Sequence, residues 1–331
     1  MSRRRFLQQS SALGLASAFG LIREASAEPP PEIARIRLVR TPAICLAPQY
    51  VAEDLLHAEG FSEVDYVKID RGNGLEAIAE GGVDISQWDV QATLPLLDLG
   101  KPLVILAGIH AGCYELFVTE GVRGIKDLKG KTIAIYAWGG GDHVLVSSML
   151  AYVGINPQKE VSWLVGASHR EPMQLFIDGK ADAFLANPPQ PQEMHARRLG
   201  RVIVNTSQDQ PWSQYFCCVV VGHRDFVARY PVATKRALRA LLKAADICAQ
   251  EPERGARLLV AKGFETRYEI GLSVVKDLAY RRWRESSPED TIRFHALRLH
   301  EAGMIKSTPQ KLINQGTDWR FLNELKKEMK A

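Results

Sequence analysis

Trp138-Gly139-Gly140-Gly141-Asp142-His143 is the stretch whose residue types and order could do chemistry most directly. Three glycines let a backbone approach a ligand closely. The apolar spacing of Val144, Leu145, Met149 and Leu150 predicts a helix over Val144–Tyr152 that begins right after them. A helix N-terminus carries unpaired N–H groups and the positive end of the peptide dipole, so it can face an anion or a polar group. His143, in the first turn, adds a side-chain donor; a glycine-rich turn with no ligand is the alternative. Neither G-x-G-x-x-G nor G-x-x-x-x-G-K-[ST] can be written onto Gly139–Ser148, which argues against dinucleotide and P-loop chemistry. No Ser/His/Asp arrangement, paired-carboxylate signature or H-E-x-x-H motif is present, so no residue is assigned as catalytic.

Five cysteines, Cys45, Cys113, Cys217, Cys218 and Cys248, are odd in number and irregularly spaced, which does not make a disulfide framework. A metal held by Cys113, Cys217 and Cys218 is conceivable. Adjacent strand residues point to opposite faces, however, so Cys217 and Cys218 are not expected to share an ion. No metal and no cofactor is expected.

These residues need positioning elements, and from Glu28 the chain alternates strands and helices. Strands are predicted at Ile33–Val39, Val64–Ile69, Val83–Ser86 and Pro102–Ile109, with helices at Ala47–Glu59, Gly74–Glu80 and Val90–Leu99 between them. This rhythm predicts a parallel sheet covered on both faces, whose ligands sit at the C-terminal strand ends. The residues at those ends are Thr41–Tyr50, Gly72-Asn73-Gly74, Gln87-Trp88-Asp89 and His110-Ala111-Gly112-Cys113-Tyr114. Tyr50, Trp88, Asp89, His110 and Tyr114 are therefore candidate ligand contacts, with core packing as the alternative.

Tyr114–Thr119 reads as a strand leaving this first lobe. A second lobe repeats the rhythm: strand Thr132–Tyr136, a helix, strand Val161–Val165, helix Glu171–Asp178 and strand Ala183–Ala186 ending in Asn187-Pro188-Pro189. Helix Gln192–Leu199 and strand Arg201–Asn205 complete it. A G-x-x-D turn occurs in both halves, as Gly81-Gly82-Val83-Asp84 and Gly179-Lys180-Ala181-Asp182. Pro211–Val221 reads as the return crossover, with Trp212 and Tyr215 at the mouth of the hinge. Beyond Asp225 the chain reads as helical: Ala233–Ala249, Arg254–Ala261, Ile270–Trp283, Glu289–Glu301 and Trp319–Lys330. The run Arg281-Arg282-Trp283-Arg284 reads as a solvated helix end.

The N-terminus carries an export signal. Ser2-Arg3-Arg4-Arg5-Phe6-Leu7-Gln8 matches the twin-arginine pattern S-R-R-x-F-L-K with Gln8 in the last place; the weakly apolar Ala12–Ile22 follows, then the A-x-A-like Ala25-Ser26-Ala27. Of 42 Lys+Arg and 38 Asp+Glu, residues 1–27 hold four Arg and one Glu, which leaves 38 against 37 in the mature chain. A net charge of +1 gives no nucleic-acid-binding surface. Folding before export in a reducing compartment favours free, buried thiols.

The phrase Lys126-Asp127-Leu128-Lys129-Gly130-Lys131, its strand and its small-residue loop resemble the second-lobe opening of periplasmic substrate-binding proteins of ABC importers. The family is that of nitrate, taurine and aliphatic sulfonates, related to the thiamine-pyrimidine synthases. The G-x-x-D turns, both crossovers, the helical C-terminal third and the export signal extend the resemblance over the mature chain. The resemblance implies an α/β, two-lobed type II periplasmic-binding-protein fold, each lobe a mostly parallel sheet flanked by helices. The expected division is a signal peptide over 1–27, lobe one over 28–113 plus 219–331, and lobe two over 114–218. It further implies a periplasmic monomer that captures a small anionic or polar ligand between its lobes and delivers it to an inner-membrane ABC permease with its ATPase. Tyr50, Trp88, Asp89, His110, Tyr114, Trp138, Gly139, Gly140, Gly141, His143, Asn187, Trp212 and Tyr215 are the expected cleft residues. The aromatic ones would also suit a flat heterocycle such as a thiamine pyrimidine precursor. The enzyme of the same superfamily, a pyrimidine synthase, needs a cysteine-rich iron-binding motif. Here only Cys217 and Cys218 are adjacent, so no enzyme activity is expected.

The export signal makes a prediction of its own. Changing Arg3 and Arg4 together to Lys is expected to hold the precursor inside the cell, and fractionation checks it: wild-type amounts in the periplasm would refute the route.

Overall fold

The structure is a computed structural model that describes residues 28–69 and 74–330. The export signal (1–27) and Gly72-Asn73 lie outside the described residues. Ten strands alternate with helices: β1 (Arg35–Arg40), β2 (Glu63–Lys68), β3 (Ile85–Asp89), β4 (Leu103–Ala111), β5 (Glu115–Val118), β6 (Thr132–Ile135), β7 (Ser162–Val165), β8 (Ala183–Ala186), β9 (Arg201–Asn205) and β10 (Phe216–His223). The expected strands recur within a few residues of their predicted bounds, because the β-branched apolar runs are bounded by Gly and Pro.

Two sheets of the same design result. One runs β7-β6-β8-β5-β9, in which β6 is parallel to β7 and β8 while β5 is antiparallel to β8 and β9. In the other half β10 is antiparallel to both β3 and β4, and β1 pairs in parallel with β2. Asp84 draws β1 alongside β3: its N–H donates to the Arg37 carbonyl (3.0 Å) and its carboxylate accepts the Arg37 N–H (2.8 Å). The order β2-β1-β3-β10-β4 thus matches the other sheet strand for strand. This is the two-lobed type II fold that the family resemblance implies, with an antiparallel strand in each sheet where the alternation alone predicts a parallel one.

The repeated G-x-x-D turn has a physical reason. Asp182 does in one sheet what Asp84 does in the other: its N–H donates to the Thr132 carbonyl (2.8 Å) and its carboxylate accepts the Thr132 N–H (2.9 Å). Each aspartate's own carbonyl then accepts from the antiparallel strand's side, Asp84 from His223 N–H (2.9 Å) and Asp182 from Thr119 N–H (3.0 Å). One aspartate, through its carboxylate and its own backbone N–H and carbonyl, therefore ties three strands.

The crossovers between the sheets are tied as well. Gly112 turns in the left-handed region at φ +53°, and a Cβ there would lie 2.4 Å from the Thr206 carbonyl oxygen. The Thr206 hydroxyl accepts the N–H groups of Cys113 (3.1 Å) and Tyr114 (2.9 Å), and Thr206 N–H donates to the Tyr114 carbonyl (2.9 Å).

Some elements depart from expectation. The predicted helix Ala47–Glu59 breaks at Ala52 into Ala47–Val51 and Glu53–Ala58. The predicted helix Ile270–Trp283 ends at Asp277, because Ala279 bridges to Ala111 on the sheet. The chain re-forms as the 3-10 turn Tyr280–Arg284, which is no solvated helix end. Trp283 is buried and donates to Asp246 (3.2 Å), and Arg284 pairs with the same carboxylate (2.5 Å). Within the stretch read as helical, two short helices join those named, Arg224–Arg229 and Pro309–Gly316; tertiary packing of a few apolar residues outweighs their weak local signal. No described helix is long and apolar enough to cross a membrane.

β4 and β10 also pack closely. A Cβ on Gly108, on the edge strand β4, would lie 2.5 Å from three atoms of the Phe216 ring on its neighbour β10. Gly108→Ala is expected to lower unfolding free energy by about 1–3 kcal/mol through overpacking, read as a lower urea midpoint with an unchanged slope.

Candidate functional site

Strand ends of the two sheets meet where Asp89 approaches Gly141. Asp89 closes β3; the helix Gly141–Tyr152 begins after β6, with Gly140 as its extended N-cap. A Cβ on Gly141 would lie 2.5 Å from Asp89 Oδ1, so the half-buried carboxylate rests on the bare Cα of the helix start. Tyr114 Oη donates to Asp89 Oδ1 (3.2 Å). Burial, followed by the nearby Cys45 thiolate form, pushes the Asp89 carboxyl up to about 7, against the Tyr114 hydrogen bond. The protein's own carboxylate thus stands where the sequence points to an anion.

The first turn of that helix is also occupied from within. Asp142 folds back so that Oδ2 accepts the Tyr136 N–H (2.5 Å), and burial lifts its carboxyl to about 6. Gly139, at φ +75°, donates its N–H to His143 Nδ1 (3.1 Å). His143 lies edge-on between Trp138 and Trp163, each with its ring centroid at 4.8 Å, and burial lowers its pKa to about 4. It is neutral at physiological pH and its Nδ1 is engaged by its own loop. Trp138 itself is 62% exposed.

The remaining expected residues fall into separate groups. Trp88, half-buried, covers Gly74, where a Cβ would lie 2.5 Å from its ring. Asn187 Nδ2 lies 3.3 Å from His169 Nε2, and the His169 ring meets Tyr136 edge-on at 5.3 Å. Trp212 and Tyr215 pack with Phe294, Tyr215 stacked on it at 4.1 Å, and Trp212 also meets Tyr152 of the Gly141 helix. Trp212 and Tyr215 border a void of about 10 Å³, shared with Tyr114, Gln91 and His295. Tyr50 is core: its hydroxyl accepts the Thr41 N–H (2.9 Å) and donates to the Thr41 carbonyl (2.5 Å), and its ring packs on Tyr66 and Phe264.

His110 is fully buried, and the thiols of Cys45, Cys113, Cys217 and Cys218 surround it. The alternation argument that separates Cys217 from Cys218 fails here. The β10–β4 register shifts on either side of Cys218, and the two sulfurs stay buried 4.0 Å apart. Cys113 Sγ lies 2.9 Å from Cys217 Sγ.

Three features escaped the sequence reading. His169 follows β7, and the strand-end logic used for the first half would have found it. Glu193, buried, accepts from Arg170 (2.6 Å) and from Arg267 of the C-terminal helical third (2.7 Å), a pairing across long sequence distance that no local pattern encodes. A groove of about 700 Å³ lies along the same sheet edge beyond β5 and β9. Glu115, His195, Asn205 and Asp209 line it from one side, Glu269 and Asp277 from the helix Tyr268–Asp277. Within it His195 Nε2 is 2.6 Å from Glu115.

A model of the NMT1-like family matches residues 30–262. The chain belongs to that family. No curated protein matches it in sequence. Among solved structures, the periplasmic nitrate-binding protein NrtA from Synechocystis PCC 6803 superposes with a TM-score of 0.74 at 17% identity, over 91% of this chain and 90% of that one. The periplasmic aliphatic sulphonate binding protein SsuA from Escherichia coli gives 0.66 at 15% identity, over 83% and 95%. The desulfurization enzyme DSZB gives 0.60 at 12% identity, over 90% and 100%. The NMT1-like chain therefore has the fold of nitrate- and sulfonate-binding proteins, a fold also used by an enzyme.

The raised Asp89 pKa fixes a sign. An unfolded aspartate titrates near 3.9, so between about pH 4 and 7 the folded NMT1-like protein holds a proton that the unfolded chain has lost. The stability that Asp89 contributes is full below about pH 4 and is lost as pH rises through about 7. Asp89→Asn is expected to equal wild type near pH 4 and to exceed it at pH 8 by on the order of 2 kcal/mol, trimmed by partial exposure. Urea denaturation at both pH values checks this; a variant less stable at pH 8 would overturn it.

Proposed function

We propose that this NMT1-like protein is an exported, non-catalytic solute-binding protein of the periplasm. Its lobes, 28–113 with 219–331 and 114–218, close on a small polar molecule and present it to an ABC permease. The resemblance of its fold to NrtA and SsuA, the twin-arginine signal and the absence of a recognisable catalytic set in the sequence support this reading.

The Asp89 carboxylate seated on Gly141 carries the ligand class. An anion brought to that helix start meets a like charge, and Asp142 already satisfies donors of the first turn. A ligand whose edge donates hydrogen bonds, such as an amine, an amidine or an aminopyrimidine, gains a charge-assisted pair with Asp89 instead. Trp88 and Trp138 offer apolar faces near the same strand ends for a flat ring. Binding would draw the lobes together because Asp89 and Gly141 belong to opposite lobes. An oxyanion is the second reading: with its pKa near 7, a protonated Asp89 can donate to a sulfonate or nitrate.

A thermal-shift series on the mature protein decides between them, since a ligand selective for the folded state raises the melting temperature by mass action. 4-Aminopyrimidines, amidines and amines are expected to raise it in wild type, with the shift lost in Asp89→Asn. Nitrate, taurine or alkanesulfonates raising it instead, and more strongly in Asp89→Asn than in wild type, would replace the first reading by the second. No shift with either set in wild type would overturn both ligand classes.

A further inference from the structure

Beneath the cleft floor, five soft or borderline donors converge from four points in the sequence. Cys45 lies in the 3-10 turn Ile44–Leu46 after β1, His110 near the end of β4, Cys113 just beyond it, and Cys217 and Cys218 at the start of β10. They form two overlapping triads, Cys45–His110–Cys218 and His110–Cys113–Cys217. Within each triad the ligand atoms lie no more than 4.8 Å from one another, and all five side chains are buried. His110 belongs to both. Neither of its ring nitrogens has a hydrogen-bond partner, although its ring is fully buried. An imidazole orphaned in this way carries an uncompensated desolvation cost. The Tyr280 ring, edge-on at 5.5 Å, closes the cluster from the C-terminal third, and the Tyr280 hydroxyl donates to the Cys45 carbonyl (2.8 Å), fixing that turn.

We propose that Cys45, His110, Cys113, Cys217 and Cys218 form a buried site for one thiophilic divalent cation of the zinc type, one triad supplying three ligands and a thiol of the other triad, drawn in on binding, the fourth. Thiolate sulfur and neutral imidazole nitrogen are the ligands such an ion prefers, in a closed tetrahedron. Bonds of about 2.3 Å place tetrahedral sulfurs roughly 3.8 Å apart, close to the 4.0 Å between Cys217 and Cys218. The competing arrangement is a Cys113–Cys217 disulfide, whose sulfurs would close from 2.9 Å to about 2.05 Å. A disulfide would leave both His110 nitrogens and the Cys45 and Cys218 thiols as they are. An ion engages one ring nitrogen and leaves the other N–H facing thiolate sulfur. Binding displaces the thiol protons to solvent, with no change of oxidation state. Because all ligands come from the protein, no position is open for a substrate, and the site is structural. It pins together the β1 loop, the outgoing crossover at Cys113 and the return crossover at Cys217-Cys218. The proposal does not rest on the ligand class assigned to the cleft.

The test uses the full mature chain without a polyhistidine tag. Elemental analysis of the protein as purified is expected to give close to one zinc per chain. After removal of zinc, added Co²⁺ is expected to give a thiolate-to-cobalt charge-transfer band and the visible bands of a tetrahedral site, both abolished by Zn²⁺. His110→Ala and Cys217→Ser are each expected to lose zinc on dialysis. Cys248→Ser, whose buried thiol lies outside the cluster, is expected to retain it. Should Cys217→Ser fail to fold, the wild-type cobalt spectrum and His110→Ala carry the decision. A Cys113–Cys217 cross-link found by non-reducing peptide mapping would overturn the proposal, as would a wild-type protein that gives no charge-transfer band with Co²⁺.

Discussion

Thr206 holds the two halves of this protein in register. Its hydroxyl accepts both N–H groups of the outgoing crossover, at Cys113 and Tyr114, and its own N–H returns a bond to Tyr114. The same crossover can reach Thr206 only because Gly112 turns through the left-handed region with no Cβ in the way. Everything that faces across the cleft inherits its alignment from this knot. Tyr114 leaves it aimed at Asp89, and Cys113 leaves it against Cys217. Buried backbone groups cannot remain unpaired, and their bonds to Thr206 fix this point between the halves.

Away from the knot, contacts between the halves are of mixed kind. The Tyr152, Trp212, Phe294 and Tyr215 rings form an apolar patch, whereas Glu193 bridges Arg170 and Arg267 at the other side. Between them stands the Asp89–Gly141 approach, whose proton is held near neutrality. Polar contacts of this kind re-form with solvent when the lobes part, so opening costs less than it would across a wholly apolar seam.

Much of the fold was legible because periodicity is local. Apolar β-branched runs bounded by Gly and Pro placed the strands, and the recurring G-x-x-D turn marked the duplicated design. The crossovers at Tyr114–Thr119 and Cys217–Val221 were readable for the same reason. The site was legible only at the level of which strand ends carry it. Asp89, Tyr114 and Gly141 meet, whereas Trp138 and His143 pair with Trp163, Tyr50 belongs to the core, and Trp212 and Tyr215 stack on Phe294. Strand-end position says that a residue is near the cleft. It does not say which neighbour its side chain finds, since that partner comes from a distant segment.

The amino-acid sequence by itself determined the alternation of strands and helices, the two matching lobes and the glycine-opened helix start. Each of these rests on residues within one or two turns of one another. Tertiary structure decided the rest. It set a carboxylate on the helix start where an anion was expected, because β3 and β6 end opposite each other. It also gathered Cys45, His110, Cys113, Cys217 and Cys218 into one cluster, because a register shift in β10 overrides the strict alternation that would have kept Cys217 and Cys218 apart.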